Sequence, residues 1–322
     1  MKLGIVGTNF ISDWLMEAVG QVPEVTVQAV YSRKQETGDA FAGKHHIGNV
    51  YTDYETFLQS DIDAVYIATP TYAHCPQALK AMEHKKHVLC EKIIAVNEKE
   101  VSEMFECAKE NRVVLLEAMK PDFDPAFELL KEHLPKIGKL RRVTMEYCQY
   151  SSRYDKFRQG EVLNAFNPEL SNAAIMDIGV YCIHTLVRLL GSPKEIKAFS
   201  TKLENGFEGS GIVLLQYEDM MAETIYSKIT DSVNPSIFLG EEGSIILEGI
   251  ATPQSMEIVY RDGKREKISY TPVSNNMIYE IEAFAGLIKE KCVEHSYRTY
   301  SLDTARVIDE ARRQNGIVFH AD

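Results

Sequence analysis

The sequence lacks the features that mark membrane proteins and nucleic-acid-binding proteins. No apolar run approaches the length of a membrane span. Basic residues are in the minority, because 35 Lys and Arg stand against 47 Asp and Glu, which gives a formal net charge of −12. Such a charge repels polyanions and anionic membrane surfaces unless a basic patch intervenes, and the sequence shows no such patch. We therefore expect neither nucleic acid nor a membrane as a partner.

Cysteine is also scarce and irregularly placed. None of the six cysteines forms a CxxC pair, and several lie in apolar runs. They are Cys75, Cys90, Cys107, Cys148, Cys182 and Cys292. We therefore expect no metal site. Because the chain also starts directly in an apolar strand, without a signal peptide, we expect reduced thiols and a cytoplasmic protein.

The remaining composition indicates a globular protein with two domains. The 322 residues are 45% hydrophobic and 25% charged, and this length exceeds one ordinary core. Strands that alternate with helical stretches are predicted over residues 3–6, 25–31, 49–51, 64–68, 87–90 and 113–117. This alternation predicts an α/β domain over residues 1–120, a dinucleotide-binding Rossmann fold with a doubly wound parallel sheet. Ligands of such sheets bind at the carboxyl ends of the strands.

The turn after the first strand resembles a phosphate-binding turn with two changes. Against the pattern G-x-G-x-x-G/A, the first glycine is present, Asn9 occupies the second position and the small Ser12 occupies the third. Asparagine tolerates positive φ better than most residues, although its side chain would crowd a pyrophosphate or bond to it. The turn alone fits a nucleotide site and a plain strand-to-helix connection equally well. The candidate cofactor-binding residues here are Gly7, Thr8, Asn9, Phe10 and Ile11.

The end of the second strand bears on the choice of cofactor. Ser32 and Arg33 stand where a site for NAD usually has an acidic residue on the ribose 2′-hydroxyl. A hydroxyl followed by a guanidinium suits a 2′-phosphate instead. We therefore expect NADP(H) to be preferred and NAD(H) to be possible, the alternative being a solvated loop arginine.

Two further strand ends carry motifs of a known family. Residues 68–74 read A-T-P-T-Y-A-H, and residues 87–92 read H-V-L-C-E-K. In this order they resemble the Gfo/Idh/MocA family of NAD(P)-dependent sugar and diol oxidoreductases, and the resemblance extends over essentially the whole chain. It implies that Thr69, Pro70 and His74 border the nicotinamide half of the cofactor. It also implies that Glu91 and Lys92 stand for the family's E-K-P motif, whose proline is Ile93 in this chain.

Lys92 is the catalytic lysine by this resemblance, and its chemistry suits the role. Oxidation of an alcohol needs a group that takes the hydroxyl proton while hydride leaves the carbon. A desolvated amine beside a cationic ring titrates closer to neutrality than a free amine does. The alternative for Glu91 and Lys92 is a surface ion pair of little consequence.

A second motif falls on a helix predicted over residues 173–190. Asp177, Tyr181 and His184 are spaced i, i+4 and i+7, so a carboxylate, a phenol and an imidazole share one face. The segment resembles the family's D-x-G-x-Y/H motif, closest to its dihydrodiol and NADP-xylose dehydrogenases. That resemblance implies that Tyr181 gives or takes the proton, Asp177 orients substrate hydroxyls or the lysine, and His184 lines the pocket. The alternative is three satisfied polar groups in the core.

Residues 121–322 are predicted to form an α+β domain for substrate binding and oligomerisation. Short strand-like runs between residues 196 and 270 predict one large, mostly antiparallel sheet, and helices are predicted over 277–292 and 302–314. Arg153 and Tyr154 lie in a polar stretch over 151–172 and are candidates for contact with a polar substrate. Asp122 stands where the family commonly has arginine, and Asn172 replaces part of a glycine-rich run. Helices on only one face leave the other face open, and the family pairs subunits there, which implies a homodimer or homotetramer.

The sequence thus predicts an NADP(H)-preferring oxidoreductase that acts on a secondary hydroxyl of a sugar, polyol or cyclic diol. Lys92 and Tyr181 handle the proton, and no metal takes part. The changes at Asn9, Ile93, Asp122 and Asn172 keep an alternative open, a catalytically quiet family member that binds nucleotide or sugar and regulates a partner. Glycoside cleavage with a retained NAD also occurs in the family and predicts a cofactor that does not exchange.

Overall fold

The computed structural model describes residues 1–320 and 322, and these residues form two compact units. Unit 1 comprises Met1–Lys120 and Ser274–Thr299, and unit 2 comprises Pro121–Val273 and Tyr300–Asp322. Within the described part of the chain, no helix is both long enough and apolar enough to span a membrane.

Unit 1 is built on a parallel sheet with helices between its strands. Its strands are β1 (Lys2–Val6), β2 (Thr26–Tyr31), β3 (Asn49–Tyr51), β4 (Ala64–Ile67), β5 (His87–Glu91) and β6 (Leu115–Ala118), in the order β3-β2-β1-β4-β5-β6. The connecting helices are α1 (Phe10–Val19), α2 (Gln35–His45), α3 (Tyr54–Leu58), α4 (His74–Glu83) and α5 (Glu98–Asn111). The strand order reverses between β1 and β4, which is where ligands of doubly wound sheets bind. The predicted Rossmann fold is confirmed.

Unit 2 is built on an eight-stranded sheet. Its strands are β7 (Leu140–Cys148), β8 (Glu195–Lys202), β9 (Glu208–Gln216), β10 (Met221–Ser227), β11 (Ser236–Gly240), β12 (Gly243–Glu248), β13 (Ser255–Tyr260) and β14 (Arg265–Ile268). They lie in the order β14-β13-β12-β11-β7-β10-β9-β8, and only β7 and β10 pair in parallel. Its helices are α6 (Pro125–His133), α7 (Tyr154–Arg158), α8 (Val180–Leu190) and most of α10 (Tyr297–Gln314), whereas α9 (Met277–Glu290) belongs to unit 1. The predicted mostly antiparallel sheet is confirmed.

The sequence assigned residues 121–322 to one continuous domain, and the structure corrects this. Helix α9 packs against α1, and Asn275 Nδ2 donates to the Trp14 carbonyl oxygen at 2.9 Å. His295 Nε2 lies 2.9 Å from the Leu115 carbonyl oxygen of β6. Residues 274–299 therefore belong to unit 1, because their apolar side chains are buried in the first core. An amphipathic pattern predicts a helix but does not say which sheet the helix covers.

The two faces of the unit 2 sheet differ in character. One face is buried through alternate residues such as Val143, Leu215 and Phe238. The other face exposes large apolar side chains, with Phe199 at 69% and Met221 at 53% of their full surface. This face of the sheet thus carries exposed apolar side chains that no described element of unit 2 covers.

The edge strand β8 is partly capped by a side chain. Gln314 of α10 donates from Nε2 to the Ile196 carbonyl oxygen at 2.8 Å, and its Oε1 accepts the N–H of Ala198 at 2.9 Å. One amide group therefore satisfies a donor and an acceptor that an edge strand would otherwise expose.

Candidate active site

The turn after β1 has the geometry of a close backbone approach. Gly7 has φ of +108°, and a Cβ at this position would lie 2.6 Å from the Ala68 carbonyl oxygen. The Gly7 N–H donates to the Tyr31 carbonyl oxygen at 3.2 Å. Only glycine fits both the torsion and the space, so the turn brings β1, β2 and the end of β4 to one point.

Asn9 behaves differently from the sequence-based expectation. Its backbone is extended, with φ of −90°, and does not occupy the left-handed region. Its Oδ1 accepts the N–H groups of Ile11 at 3.0 Å and Ser12 at 3.4 Å, and its Nδ2 donates to the Ala68 carbonyl oxygen at 2.7 Å. Asn9 is therefore the N-cap of α1. Its side chain is turned toward its own helix and the end of β4.

The remaining residues of the turn are compatible with a bound phosphate. Ser12 is fully buried and donates from Oγ to the Gly7 carbonyl oxygen at 3.0 Å, which explains the small residue at the third position. Thr8 is half-buried, Ile11 is half-buried and Phe10 is 57% exposed beside the start of α1. The N-terminal end of a helix favours an anion.

Arg33 presents a guanidinium at the end of β2. Its side chain is exposed, and within residues 1–320 and 322 no carboxylate pairs with it. Ser32 is buried, and its hydroxyl lies 2.6 Å from Thr37 Oγ1, which donates to the Lys34 carbonyl oxygen at 3.0 Å. These hydrogen bonds fix the loop in which Arg33 lies. The loop stands at the carboxyl end of β2, where the cofactor ribose binds in dinucleotide-binding sheets.

His74 ties together the loops that follow β4 and β5. It is 1% exposed, with Nε2 at 2.8 Å from the Thr69 carbonyl oxygen and Nδ1 at 3.0 Å from the Ile93 carbonyl oxygen. Burial lowers the pKa of His74, and the charge of Lys92 acts in the same direction. Thr69 donates from Oγ1 to Gln77 Oε1 at 2.7 Å, and Pro70 follows it directly. His74 therefore fixes the two loops, while Thr69 and Pro70 are half-buried at their surface.

Glu91 ends β5 and Lys92 follows it directly, in a partly buried cluster. Tyr66 donates to Glu91 Oε1 at 2.5 Å, and the N–H of Lys92 donates to Glu91 Oε2 at 3.2 Å. Burial raises the pKa of Glu91, whereas the Tyr66 hydrogen bond and the charges of Lys92 and Lys120 lower it. Ile93 is buried, and the peptide bond that joins it to Lys92 is cis. Ile93 occupies the position of the proline in the family motif.

Sequence reasoning missed a further carboxylate beside this cluster. Glu280 of α9 is fully buried, and neither of its oxygens has a hydrogen-bond partner. Burial raises its pKa well above the usual range, and the charge of Glu91 raises it further. No local pattern marks Glu280, because it reaches the cluster only through the return of the chain to unit 1.

In unit 2, Asp177 lies in a π-helical turn, Ile175–Gly179, that precedes α8. The predicted continuous α-helix over 173–190 is therefore corrected at its start. A Cβ at Gly179 would lie 3.0 Å from the Tyr226 ring, so this glycine allows the turn to pack closely on β10. Asp177 Oδ2 accepts from Lys228 Nζ at 2.6 Å. The lysine is a second residue that sequence reasoning missed, since it lies 51 positions further along the chain.

Glu208 fixes the beginning of the same turn. Its Oε2 accepts the N–H of Ile175 at 2.8 Å, and Tyr226 donates to its Oε1 at 2.9 Å. Burial raises the pKa of Glu208 to about 7, against the opposing effect of these hydrogen bonds. Glu208 is therefore a buried carboxyl that titrates near neutrality behind the segment that carries Asp177.

Tyr181 and His184 of α8 have different surroundings. Tyr181 is 8% exposed and its ring meets the Tyr147 ring edge-on at 5.8 Å between centroids. His184 is fully buried, with Nε2 at 2.9 Å from Asp122 Oδ2 and Nδ1 at 3.0 Å from Thr304 Oγ1. Both ring nitrogens thus have partners inside the core of unit 2, and a role for His184 in lining the substrate pocket stays a prediction. The aspartate at 122, unusual for the family motif, is the partner of this histidine.

The polar stretch over 151–172 contains an aromatic cluster. Tyr154 stacks on Phe157 and Phe166, and Phe207 packs against the same cluster. Arg153 is exposed. Of the two residues predicted to contact substrate here, Tyr154 contributes to a local core, and Arg153 is accessible at the surface. Within the described residues, no group of His, Cys, Asp and Glu side chains could hold a metal ion.

Comparison with known proteins gives a separate match for each of two parts of the chain. A family model described as the oxidoreductase family with an NAD-binding Rossmann fold matches residues 1–119, and the GFO/IDH/MocA C-terminal domain model matches residues 130–246. The chain is 48% identical over 325 residues to scyllo-inositol 2-dehydrogenase (NADP(+)) IolU of Bacillus subtilis, covering 100% of this chain and 99% of the relative. It is 28% identical to trans-1,2-dihydrobenzene-1,2-diol dehydrogenase of Mus musculus, over 100% and 99% of the two chains.

Among solved structures, the 3-ketoreductase KijD10 of Actinomadura kijaniata, in complex with NADP and TDP-benzene, shares the fold. The TM-score is 0.87 at 22% identity, and the match covers 98% of each chain. Two family models match, and a relative 48% identical has almost the same length. The Gly7 turn, Lys92 and the D-x-G-x-Y segment over residues 177–181 stand in the order that the family motifs have. The chain belongs to the Gfo/Idh/MocA family of oxidoreductases.

Proposed function

We propose that this chain is an NADP(H)-preferring dehydrogenase that interconverts a secondary hydroxyl and a carbonyl on a cyclic polyol or diol, with NAD(H) as the weaker cofactor. The observation that carries the proposal is the carboxyl edge of the unit 1 sheet. This edge carries the Gly7 turn at the end of β1, the exposed Arg33 at the end of β2 and Lys92 directly after β5.

The residues at this edge fit a dinucleotide. Gly7 lets the turn pass close to the Ala68 carbonyl oxygen, which a Cβ would meet at 2.6 Å, and the turn leads into the N-terminal end of α1, where an anion such as a pyrophosphate is favoured. Arg33 offers charge-assisted hydrogen bonds to a 2′-phosphate, and a carboxylate that would favour NAD is absent from the end of β2 in the sequence. When bound, the nicotinamide ring exchanges a hydride with the substrate carbon.

The chain's own residues handle the proton. In the oxidative direction the hydroxyl proton passes to an amine or phenolate as the carbonyl forms, and Lys92 and Tyr181 are the groups we assign to it. Lys92 follows the buried Glu91, whose hydrogen bond to the Lys92 N–H fixes the backbone there. Asp177 is the acceptor for substrate hydroxyls, and Arg153 is an accessible donor. Relatives that act on scyllo-inositol and on a dihydrodiol support a ring with neighbouring hydroxyls as substrate.

We further infer a homodimer or homotetramer, formed through the open face of the unit 2 sheet, and a cytoplasmic location. The exposed Phe199, Leu214 and Met221 on this face support the first inference. All six cysteines are free thiols, which supports a reducing compartment.

The test begins with nucleotide binding and ends with turnover. Trp14 is the only tryptophan and lies on α1, so quenching of its fluorescence reports NADPH and NADH separately. Turnover is then followed by NADPH absorbance with scyllo-inositol and a trans-dihydrodiol as first substrates. We expect tighter binding of NADPH and oxidation of at least one of the two. Nucleotide binding without turnover of any polyol would favour the regulatory alternative, and a cofactor that never exchanges would favour glycoside cleavage.

Two variants then test which residues transfer the hydroxyl proton. Lys92→Met and Tyr181→Phe should each lower kcat by about 10²- to 10⁴-fold, the usual contribution of a general acid or base. NADPH affinity should stay within about twofold, since neither change removes a phosphate contact. Lys99→Met is the matched control, because Lys99 is an exposed lysine of the same unit. Full activity in Lys92→Met would contradict the assignment.

A further inference from the structure

Lys228 is a buried lysine whose ammonium group is surrounded on several sides. Its side chain is only 5% exposed. Nζ donates to Asp177 Oδ2 at 2.6 Å and to the Ala165 carbonyl oxygen at 3.0 Å. The same nitrogen lies over the rings of Phe166, at 5.2 Å from the centroid, and Phe207, at 5.5 Å. Lys228 follows β10 directly, so a strand end fixes its backbone.

Burial of an ammonium group is unfavourable unless a charge and hydrogen-bond acceptors replace water. Here one carboxylate, one carbonyl oxygen and two ring faces do so. Well-packed apolar side chains of similar size would stabilise the fold as well or better. The charge of Lys228 therefore points to a role beyond packing.

The ion pair is asymmetric in its access to solvent. The Asp177 side chain is 38% exposed, whereas the Lys228 side chain behind it is 5% exposed. The carboxylate thus forms the accessible end of the pair, and the ammonium group supports it from the core. Lys228 also links the loop at Ala165 and Phe166 to the π-helical turn of Asp177.

We propose that Lys228 is a positioning residue for the substrate: it holds Asp177 as an ionised carboxylate in one direction, so that Asp177 accepts hydrogen bonds from neighbouring hydroxyls of a polyol ring. The inference rests on the proposed function. It specifies a substrate that offers hydroxyl donors to a fixed carboxylate, and it adds Lys228 to the residues that decide affinity for that substrate.

The test is a double-mutant cycle on the full-length chain, with the polyol that the wild type oxidises. We expect Lys228→Met to raise KM by about tenfold or more and Asp177→Asn to raise it at least as much. The double variant should be no worse than Asp177→Asn, because Lys228 acts only through that carboxylate. A purely structural lysine would instead lower the active fraction, and therefore kcat, and leave KM unchanged.

Controls separate the possible outcomes. Lys194→Met removes an exposed lysine of the same unit, paired to Glu218, and should leave KM within about twofold of the wild type. Unchanged KM in Lys228→Met, or additive effects in the double variant, would overturn the inference while NADPH binding and wild-type turnover still support the proposed function. A wild type that oxidises no polyol would refute the proposed function and this inference together.

A second variant covers loss of folding. If Lys228→Met does not fold, Lys228→Arg keeps the buried charge but replaces a point donor with a larger planar group. It should retain the wild-type Tm within a few degrees and raise KM by about three- to tenfold, because the Asp177 carboxylate must shift. A folded Lys228→Arg with wild-type KM would overturn the proposal.

Discussion

Arg33 is the residue that should decide between the two dinucleotides. We expect Arg33→Ala to weaken NADPH binding by about 1.5–3 kcal/mol, the range for hydrogen bonds to charged groups, and to leave NADH binding almost unchanged. Trp14 fluorescence titrations with both nucleotides measure the difference. Lys99→Ala removes an exposed positive charge of the same unit and should affect neither nucleotide. Equal losses for NADPH and NADH would show that Arg33 does not contact the 2′-phosphate.

His184 should matter for stability and not for substrate affinity. Its side chain connects Asp122 and Thr304 inside the core of unit 2, and Arg188 Nε approaches the same Asp122 carboxylate at 3.4 Å. We expect His184→Ala to lower the free energy of unfolding by about 3 kcal/mol, because a buried carboxylate loses its closest partner. Urea unfolding measures this change. A large rise in KM with wild-type stability would contradict this prediction and indicate that His184 contacts the substrate.

How far the sequence reveals the site depends on where each partner lies. Lys92 and Asp177 stand in short motifs, so their neighbours along the chain mark them. Lys228 follows an alternating strand like many other lysines, and its significance appears only when the fold brings it to within 2.6 Å of Asp177. Glu280 likewise has no local signal. Such buried charges depend on contacts between distant segments, which spacing does not encode.

At the scale of elements, Glu208 should make the stability of unit 2 depend on pH. Burial raises its pKa from an ordinary 4.5 to about 7, so between these values the folded state binds more protons than the unfolded state. Stability from this group therefore falls as pH rises through that window, by about 3 kcal/mol in total. The contribution is fully present below the unfolded value and is lost above the folded one.

Glu208→Gln should flatten this dependence. The amide stays neutral, so the variant should gain about 2.5 kcal/mol relative to the wild type between about pH 5 and about pH 8. Urea unfolding of both proteins at the two pH values gives the double difference. Glu204→Gln, at an exposed position nearby, should track the wild type. Parallel curves for Glu208→Gln and the wild type would show that Glu208 does not titrate in this window.

The elements also show where periodicity stops being informative. Hydrophobic periodicity identified the parallel strands because both faces of their sheet are buried, as Val65 on one face and Leu89 on the other show. It missed the π-helical turn before α8, because helical spacing is almost the same in both geometries. The Tyr226 ring, which packs closely on Gly179 of this turn, belongs to a strand far along the chain. For the same reason it could not assign α9 to unit 1.

For the whole molecule, the open face of the unit 2 sheet should determine the oligomeric state. Leu214→Asp combined with Met221→Asp places two charges on this face, at side chains that are 40% and 53% exposed. Each charge would be buried without a partner at an interface, so we expect dissociation to monomers with little loss of monomer stability. Sedimentation velocity measures the change. Val233→Asp, at a fully exposed loop position, is the control. An unchanged sedimentation coefficient in the double variant would place the interface elsewhere.

The Gln314 amide on the edge of β8 has a consequence for how copies of this chain can assemble. The amide hydrogen-bonds to the Ile196 carbonyl oxygen and to the Ala198 N–H, two backbone groups to which an added ninth strand would bind. Strand addition between this edge of one copy and the opposite edge, β14, of the next is open-ended and leads to fibres, whereas pairing of two identical faces about a twofold axis closes on itself. The Gln314 side chain thus hinders strand addition at β8 and leaves pairing through the face of the sheet available.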